Sequence, residues 1–257
     1  MATPQNRSVI KAFKMLQSFK GPDDWVSSVE LSRRAGLPEA SGYRLIQTLQ
    51  SIGAVVRGPH GRYRPGMLLV SLSHNVAVCD LLRETAHPEL SELATRLRLT
   101  VHMGVLEDGM VTYVAKVCPP DSFAVHTRVG AQLEAYSTGL GKVLLASLPD
   151  QALDDFVMGG RFVPLTPQTI TDRTALRHEI QQVRIRGYAL DDRESSPTLS
   201  CMAVPIRDFE GRTVAAISAA DASDRMARRD PSEVREALVA VAAAISHKMF
   251  PVDRARL

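Results

Sequence analysis

Cysteine is scarce in this chain of 257 residues. The three present, Cys79, Cys118 and Cys201, lie far apart and form no CxxC pair. That excludes a disulfide scaffold and a zinc knuckle and fits a reducing, cytoplasmic setting. Long apolar runs are missing too. The longest stretch free of Asp, Glu, Lys and Arg is 65–79, 15 residues that include Ser71, Ser73, His74 and Asn75. It is too short and too polar to span a bilayer, so no membrane partner is expected. The first residues show no charged-then-apolar signal pattern, which argues against secretion. Catalytic signatures are also lacking. Cys79, Cys118, Cys201, Ser195 and Ser200 sit in no GxSxG-type context, the seven histidines show no HExxH spacing, and there is no P-loop or GxGxxG. No catalytic residue, metal or cofactor is expected. His102 and His126 lie in alternating segments and are read as a pair of satisfied sheet histidines.

What the chain does have is an uneven charge. The net is only +3, but residues 1–77 carry ten Lys/Arg against four acids, and the remainder 21 against 24. A basic front joined to a mildly acidic rear suggests that the front alone meets a polyanion.

The patterning divides the same way. In 8–19, Val9, Ile10, Phe13, Leu16 and Phe19 recur at helical steps. Ser27 and Glu30 have capping-box spacing and open a short helix through Ala35, which Gly36 is placed to end. Pro38 starts a further helix with Leu45, Ile46, Leu49 and Ile52 on one side and Ser41, Arg44, Gln47 and Thr48 away from it. Strands 54–57 and 62–64 flank Gly58-Pro59-His60-Gly61, a hairpin turn. Two helices around a tight glycine turn, followed by a basic hairpin, predict a winged helix-turn-helix; the alternative is a small helical domain without a ligand. In 65–79, Leu68, Leu72 and Val76 form a stripe on a helix expected to belong to neither flanking domain and to pair with its copy in another subunit.

From residue 80 onward helices and strands mix without regular βαβ alternation, which predicts α+β with an antiparallel sheet. Helix 80–99 precedes strands 100–106 and 111–117. Residues 123–129 alternate like a half-buried strand. A helix follows Gly139-Leu140-Gly141. Leu176, Ile180 and Val183 set the face of another, stopped by Gly187. Strands 201–206 and 213–220 lead to a last helix with Asp230 as N-cap and Pro231 at its first position. The expected domains are 1–64, a linker helix 65–79, and 80–257.

The order of short motifs resembles the IclR family of transcriptional regulators over nearly the whole length. Carrying the resemblance are Ala35-Gly36-Leu37-Pro38 with Ser41, Arg44, Leu45 and Leu49; Gly61-Arg62-Tyr63-Arg64-Pro65-Gly66; His87-Pro88 with Leu90 and Leu93; Thr138-Gly139-Leu140-Gly141-Lys142; Arg186-Gly187-Tyr188-Ala189 with Asp191-Asp192-Arg193-Glu194; and Cys201-Met202-Ala203 with Pro205-Ile206. The resemblance implies a winged-helix reader joined to a GAF-like effector-binding domain, working as a homodimer or homotetramer. The implied function is regulation of transcription by operator binding under a small-molecule effector. The alternative is a ligand-sensing or catalytic GAF-like protein without DNA binding.

On that reading a double-stranded DNA operator is the first partner. Ser41, Tyr43 and Arg44 match groove-facing positions and Gln47 follows one turn on. Arg44 or Gln47 is suited to bidentate base contacts worth about 1–3 kcal/mol each. Arg57 and Arg62 flank the hairpin tip, within reach of phosphate or the minor groove. Gly42 in mid-helix and Glu39 near the expected phosphates are unexplained by sequence. The resemblance also implies an effector pocket at Gly139, Leu140, Asp191, Cys201, Ser218 and Ala220. Glycines there let backbone amides approach a ligand. Ala220 stands where relatives often place Ser, and Thr198 where Gly is common. Both lean toward a larger or less polar ligand than a simple keto acid; an organic or aromatic acid is the expected effector.

Overall fold

The structure, a computed structural model, describes residues 5–21, 24–73, 77–120 and 122–251. The chain divides into two compact units, Met1–Ala77 and Val78–Leu257.

In the first unit, α1 (Arg7–Gln17), α2 (Ser28–Arg34) and α3 (Glu39–Ser51) precede a hairpin of β1 (Val55–Arg57) and β2 (Tyr63–Pro65), and α4 (Met67–Ser73) follows. Ser27 Oγ accepts the Glu30 amide and starts α2. Glu30 does not complete the capping box, because its carboxylate is taken by Arg33 and Arg34. Gly36, at φ 65°, turns the chain toward Pro38, which caps α3 rather than lying in its first turn. Met15, Leu31, Ile46, Leu49 and Val55 form the core with Tyr63 and Val26, and a bridge from Val26 to Tyr63 extends the hairpin.

Three expectations change here. The buried face of α1 centres on Met15, with Val9 and Phe13 exposed, because the neighbouring helices cover the Ala12–Met15 side. Ile52 caps the end of α3 and is exposed rather than part of the apolar side. The helix expected to belong to neither domain packs Leu68 and Leu69 on this core, while Leu72 stays exposed; Val76 lies outside the described residues.

The second unit is an antiparallel sheet of six strands between two helical layers. After α5 (Val78–Leu97) come β3 (Thr100–Glu107), β4 (Met110–Val117), β5 (Gln132–Glu134), α6 (Gly139–Leu145), α7 (Asp150–Gly159) and α8 (Arg173–Arg186). Then follow β6 (Ala189–Asp192), β7 (Leu199–Arg207), β8 (Thr213–Ala222), α9 (Ser223–Met226) and α10 (Pro231–Met249). The strand order is β5-β4-β3-β8-β7-β6. Side-chain alternation sorts the two layers. Val101, Met103, Met202, Val204, Ile217 and Ala219 face α5 and α10. Ala189, Ala203 and Ala216 face α6, α7 and α8. Gly187, at φ 78°, ends α8 as expected, and Asp230 caps α10 through the Ser232 amide.

Residues 123–129 are not a strand. They form an extended loop whose carbonyls are taken by a side chain, so their alternation reflects contact with the sheet face rather than a ladder.

Candidate functional site

The reading surface starts from how closely α2 and α3 cross. A Cβ added at Gly42 would lie 1.9 Å from Ser32 Oγ. The mid-helix glycine is therefore a packing requirement, and it answers the oddity seen in the sequence. Glu39 is exposed in the first turn of α3, where an acid is favoured by the helix dipole. Tyr43 and Arg44 point outward from α3, Tyr43 being 53% exposed, and Ser41 is half-buried. Among the described residues Arg44 and Arg57 have no acidic partner, and both side chains are exposed. Gln47 is less free than expected, because its amide donates to the Tyr63 hydroxyl at 3.1 Å. Arg62 donates to the Trp25 carbonyl at 3.4 Å, and the Arg64 guanidinium lies 4.8 Å from the centre of the Trp25 ring. Sequence reasoning missed Trp25, whose ring also fills the space a Cβ would take at Gly58. Among the described residues, two of the ten front-end basic groups are in ion pairs: Arg33 pairs with Glu30, and Arg34 with Glu30 and Asp24. These arginines hold the Glu30 carboxyl down to about 2.

In the second unit the register of four strands places Asp191 beside Cys201, and Cys201 beside Ala220, with Thr100 next in line. The neighbouring rung runs Ala203, Ser218, His102, Lys116. Above these rungs sits the start of α6. All six residues implied as the effector pocket, Gly139, Leu140, Asp191, Cys201, Ser218 and Ala220, line one cavity, joined by His102, Tyr113, Val125, Thr127, Thr138 and Leu199 among others. The cavity measures about 30 Å³, room for one or two water molecules.

The glycines of the Gly139-Leu140-Gly141 turn serve packing first. A Cβ on Gly139 would come 2.8 Å from Cys201 Sγ, and one on Gly141 would come 2.1 Å from the Ala135 carbonyl oxygen. Asp191 is also committed differently from expectation. Its carboxylate accepts the Glu194 amide at 2.8 Å, the Ser195 amide and the Ser195 hydroxyl at 2.5 Å. Burial nonetheless raises its pKa above the usual carboxylate range. Burial pushes the Cys201 thiol and the Tyr113 phenol up as well, so both line the cavity in neutral form.

The loop 122–131 covers the cavity. Lys116 Nζ donates to the carbonyls of Val125 at 2.6 Å and Thr127 at 2.8 Å, and His102 Nε2 lies 2.7 Å from Thr127 Oγ1. The reading of both as satisfied sheet histidines holds for His102, which is buried in β3 and meets Thr127 and Tyr113, but not for His126, which is exposed on this loop. In α6, Lys142 is 1% exposed and its Nζ lies 2.5 Å from Glu194 Oε1 and 3.7 Å from Glu179. Sequence reasoning quoted Lys142 and Glu194 as motif residues without seeing that they pair.

A winged helix-turn-helix preceding an antiparallel-sheet domain with such a cavity defines an effector-responsive DNA-binding regulator. Residues 8–59 match the IclR helix-turn-helix domain, and residues 74–247 match the bacterial transcriptional regulator IclR C-terminal domain. The chain belongs to the IclR family. It is 31% identical over 247 residues to the HTH-type transcriptional regulator XynR of Escherichia coli (strain K12), covering 96% of this chain and 98% of that one. The crystal structure of the Thermotoga maritima IclR matches with a TM-score of 0.63 at 29% identity, covering 94% of this chain and 98% of that one. An IclR homolog from Microbacterium hydrocarbonoxydans, solved in complex with 4-hydroxybenzoate, shares the fold at 24% identity and a TM-score of 0.63, covering 94% and 98% of the two chains. The relatives are transcriptional regulators, and among the described residues no helix is long and apolar enough to cross a membrane.

Proposed function

We propose that this regulator reads its operator through Tyr43 and Arg44 of α3, with Ser41 at the groove edge, Gln47 as a secondary contact, and Arg57 and Arg62 on the flanking phosphates. The unpaired, outward guanidinium of Arg44 supports this, since a bidentate base contact needs a free fork. The protein works in the cytoplasm, without catalysis, as a homo-oligomer. The exposed Val9 and Phe13 of α1 with Met67, Val70 and Leu72 of α4 supply apolar surface for a second copy. The functional limits follow the sequence division: 1–64 reads DNA, 65–79 links, and 80–257 senses the effector and assembles.

The effector is an organic acid, with an aromatic acid as the leading class. The observation that carries this reading is the convergence of the six pocket residues on one covered cavity. Among the described residues no lysine or arginine lines it. Its carboxylate would therefore be held by hydrogen bonds from the Ser218 hydroxyl and the first-turn amide of Leu140, with the apolar part against Val125, Leu133 and Leu199. The closed cavity is too small for a benzoate, so binding displaces the loop 122–131. A state with the loop displaced is then selected, and the effector shifts operator affinity by its preference for that state. Thermal-shift screening of organic acids tests this directly. A true effector at a hundred times its Kd stabilises by about 2.7 kcal/mol and raises hydrogen exchange in 122–131. A broad acid panel that leaves both the melting temperature and the exchange unchanged removes the organic-acid assignment.

A further inference from the structure

A second concavity lies on the same unit, and nothing in the reading above uses it. It measures about 700 Å³ and is lined by Arg98, Arg225, Arg228 and Arg229, with Thr95, Asp221 and the prolines Pro119 and Pro120 among its walls. We propose that this cleft binds a small multivalent oxyanion, a phosphorylated or polycarboxylate metabolite, as a site distinct from the effector cavity.

Among the described residues that line the cleft, four arginines accompany one carboxylate. Asp221 lies 3.4 Å from Arg229, and Arg229 also donates to the Leu97 carbonyl at 2.9 Å. Arg98, Arg225 and Arg228 have no acidic partner among the described residues. Arg98, Arg225 and Arg228 are exposed around one concave site, and like charges lining a cleft focus a positive potential that draws an anion. The other large cleft of this unit makes the contrast. It also holds three arginines, but Arg184 is bound to Asp150, Arg212 to Asp208, and Arg207 to the Gly211 carbonyl. Its arginines are structural; in the first cleft Arg229 is held, while Arg98, Arg225 and Arg228 are in no ion pair among the described residues.

Backbone geometry adds an independent observation. Arg98 follows the end of α5 at φ 53°, a left-handed position that glycine normally fills. Holding an arginine there costs stability that a glycine would not. The strain persists at the residue that supplies one wall charge of the cleft. Size selects the occupant: 700 Å³ matches a small-molecule site, and proline-walled concavity does not match the open track a nucleic-acid strand needs. Guanidinium forks match phosphate and carboxylate oxygens alike.

The test titrates full-length protein by calorimetry with tripolyphosphate and, in parallel, with citrate, at constant ionic strength. One site per chain is expected, and the tighter of the two anions identifies the chemistry. Affinity should fall about tenfold in each of the single variants Arg98→Gly, Arg225→Ala and Arg228→Ala, the fold-change of one lost charge-assisted hydrogen bond each. Arg44→Ala, on the DNA-reading helix, should bind as wild type. Arg98→Gly also relieves the left-handed strain, so it should melt no lower than wild type and its loss of binding cannot be blamed on unfolding. The proposal is overturned by an absence of binding for both anions, by equal affinity in all the cleft variants, by a loss confined to Arg44→Ala, or by a duplex oligonucleotide that outcompetes both anions at the cleft arginines.

Discussion

His102 Nε2 and Thr127 Oγ1 meet at 2.7 Å, joining the sheet floor of the effector cavity to the loop that covers it. Burial, followed by the positive charge of Lys116, holds the His102 imidazole neutral and lowers its pKa from 6.5 to about 3. Below pH 6.5 the unfolded chain takes up a proton at this position that the folded chain refuses. Stability contributed by the neutral imidazole is thus complete above pH 6.5 and lost as pH falls toward 3, by up to about 1.4 kcal/mol per pH unit. His102→Gln should flatten that acid slope in melts recorded from pH 7 to 4. A variant slope matching wild type would show that other groups set it.

The crossing of α2 and α3 gives a second expectation. Gly42→Ala gains about 1 kcal/mol of helix propensity but drives a methyl into Ser32. Overpacking at such a contact costs about 1–3 kcal/mol, so the net is destabilising. Ser32→Gly in the same chain should restore part of the loss. A Gly42→Ala protein as stable as wild type would mean that α3 can shift away from α2 freely.

Lys142 and Glu194 form a buried pair, and breaking one side leaves a charge without its partner. Lys142→Met should cost about 3–5 kcal/mol at neutral pH. Burial already raises the Glu194 pKa, and removing Lys142 takes away its main opposing influence. A raised carboxyl pKa makes the folded state the better proton binder, so the deficit of Lys142→Met should shrink as pH falls. Urea unfolding at pH 7.5 and 5 measures it. A deficit that grows on acidification would assign the loss to packing instead.

On DNA, Arg44→Ala should lose about 1–3 kcal/mol of discrimination at one base position per half-site. Arg57→Ala should weaken binding evenly across sequences and reduce the salt slope by about one. Tyr63→Phe frees the Gln47 amide and should broaden or shift base preference with little change in affinity. Binding-site selection with each variant reads all three. An unchanged selected motif in Arg44→Ala would remove that residue from base reading.

The elements legible in the sequence were those announced by local chemistry. Asp230 with Pro231, Gly187 and Gly36 marked helix ends because caps and left-handed turns need few residue types. The cavity residues, Asp191, Cys201 and Ser218 among them, were placed by the family resemblance alone, and they line one cavity. What stayed hidden depends on partners distant in sequence. Residues 123–129 alternate like a strand because Val125 and Thr127 face the cavity, but Lys116 rather than a neighbouring strand takes the Val125 and Thr127 carbonyls. The short edge strand β5 offers three residues, too few for a period. Gly42 looked like a flaw until Ser32 was beside it, and Gln47 looked free until Tyr63 was.

The sharpest measurement follows operator binding by fluorescence anisotropy as an organic acid identified by thermal shift is added. Wild type is compared with Ser218→Leu, which fills the cavity. The account predicts that wild type changes its DNA affinity at least about tenfold, a shift of 1.4 kcal/mol, while Ser218→Leu still binds DNA and ignores the acid. Equal responses from the two proteins, or no duplex binding by wild type at any site selected from a random pool, would contradict it.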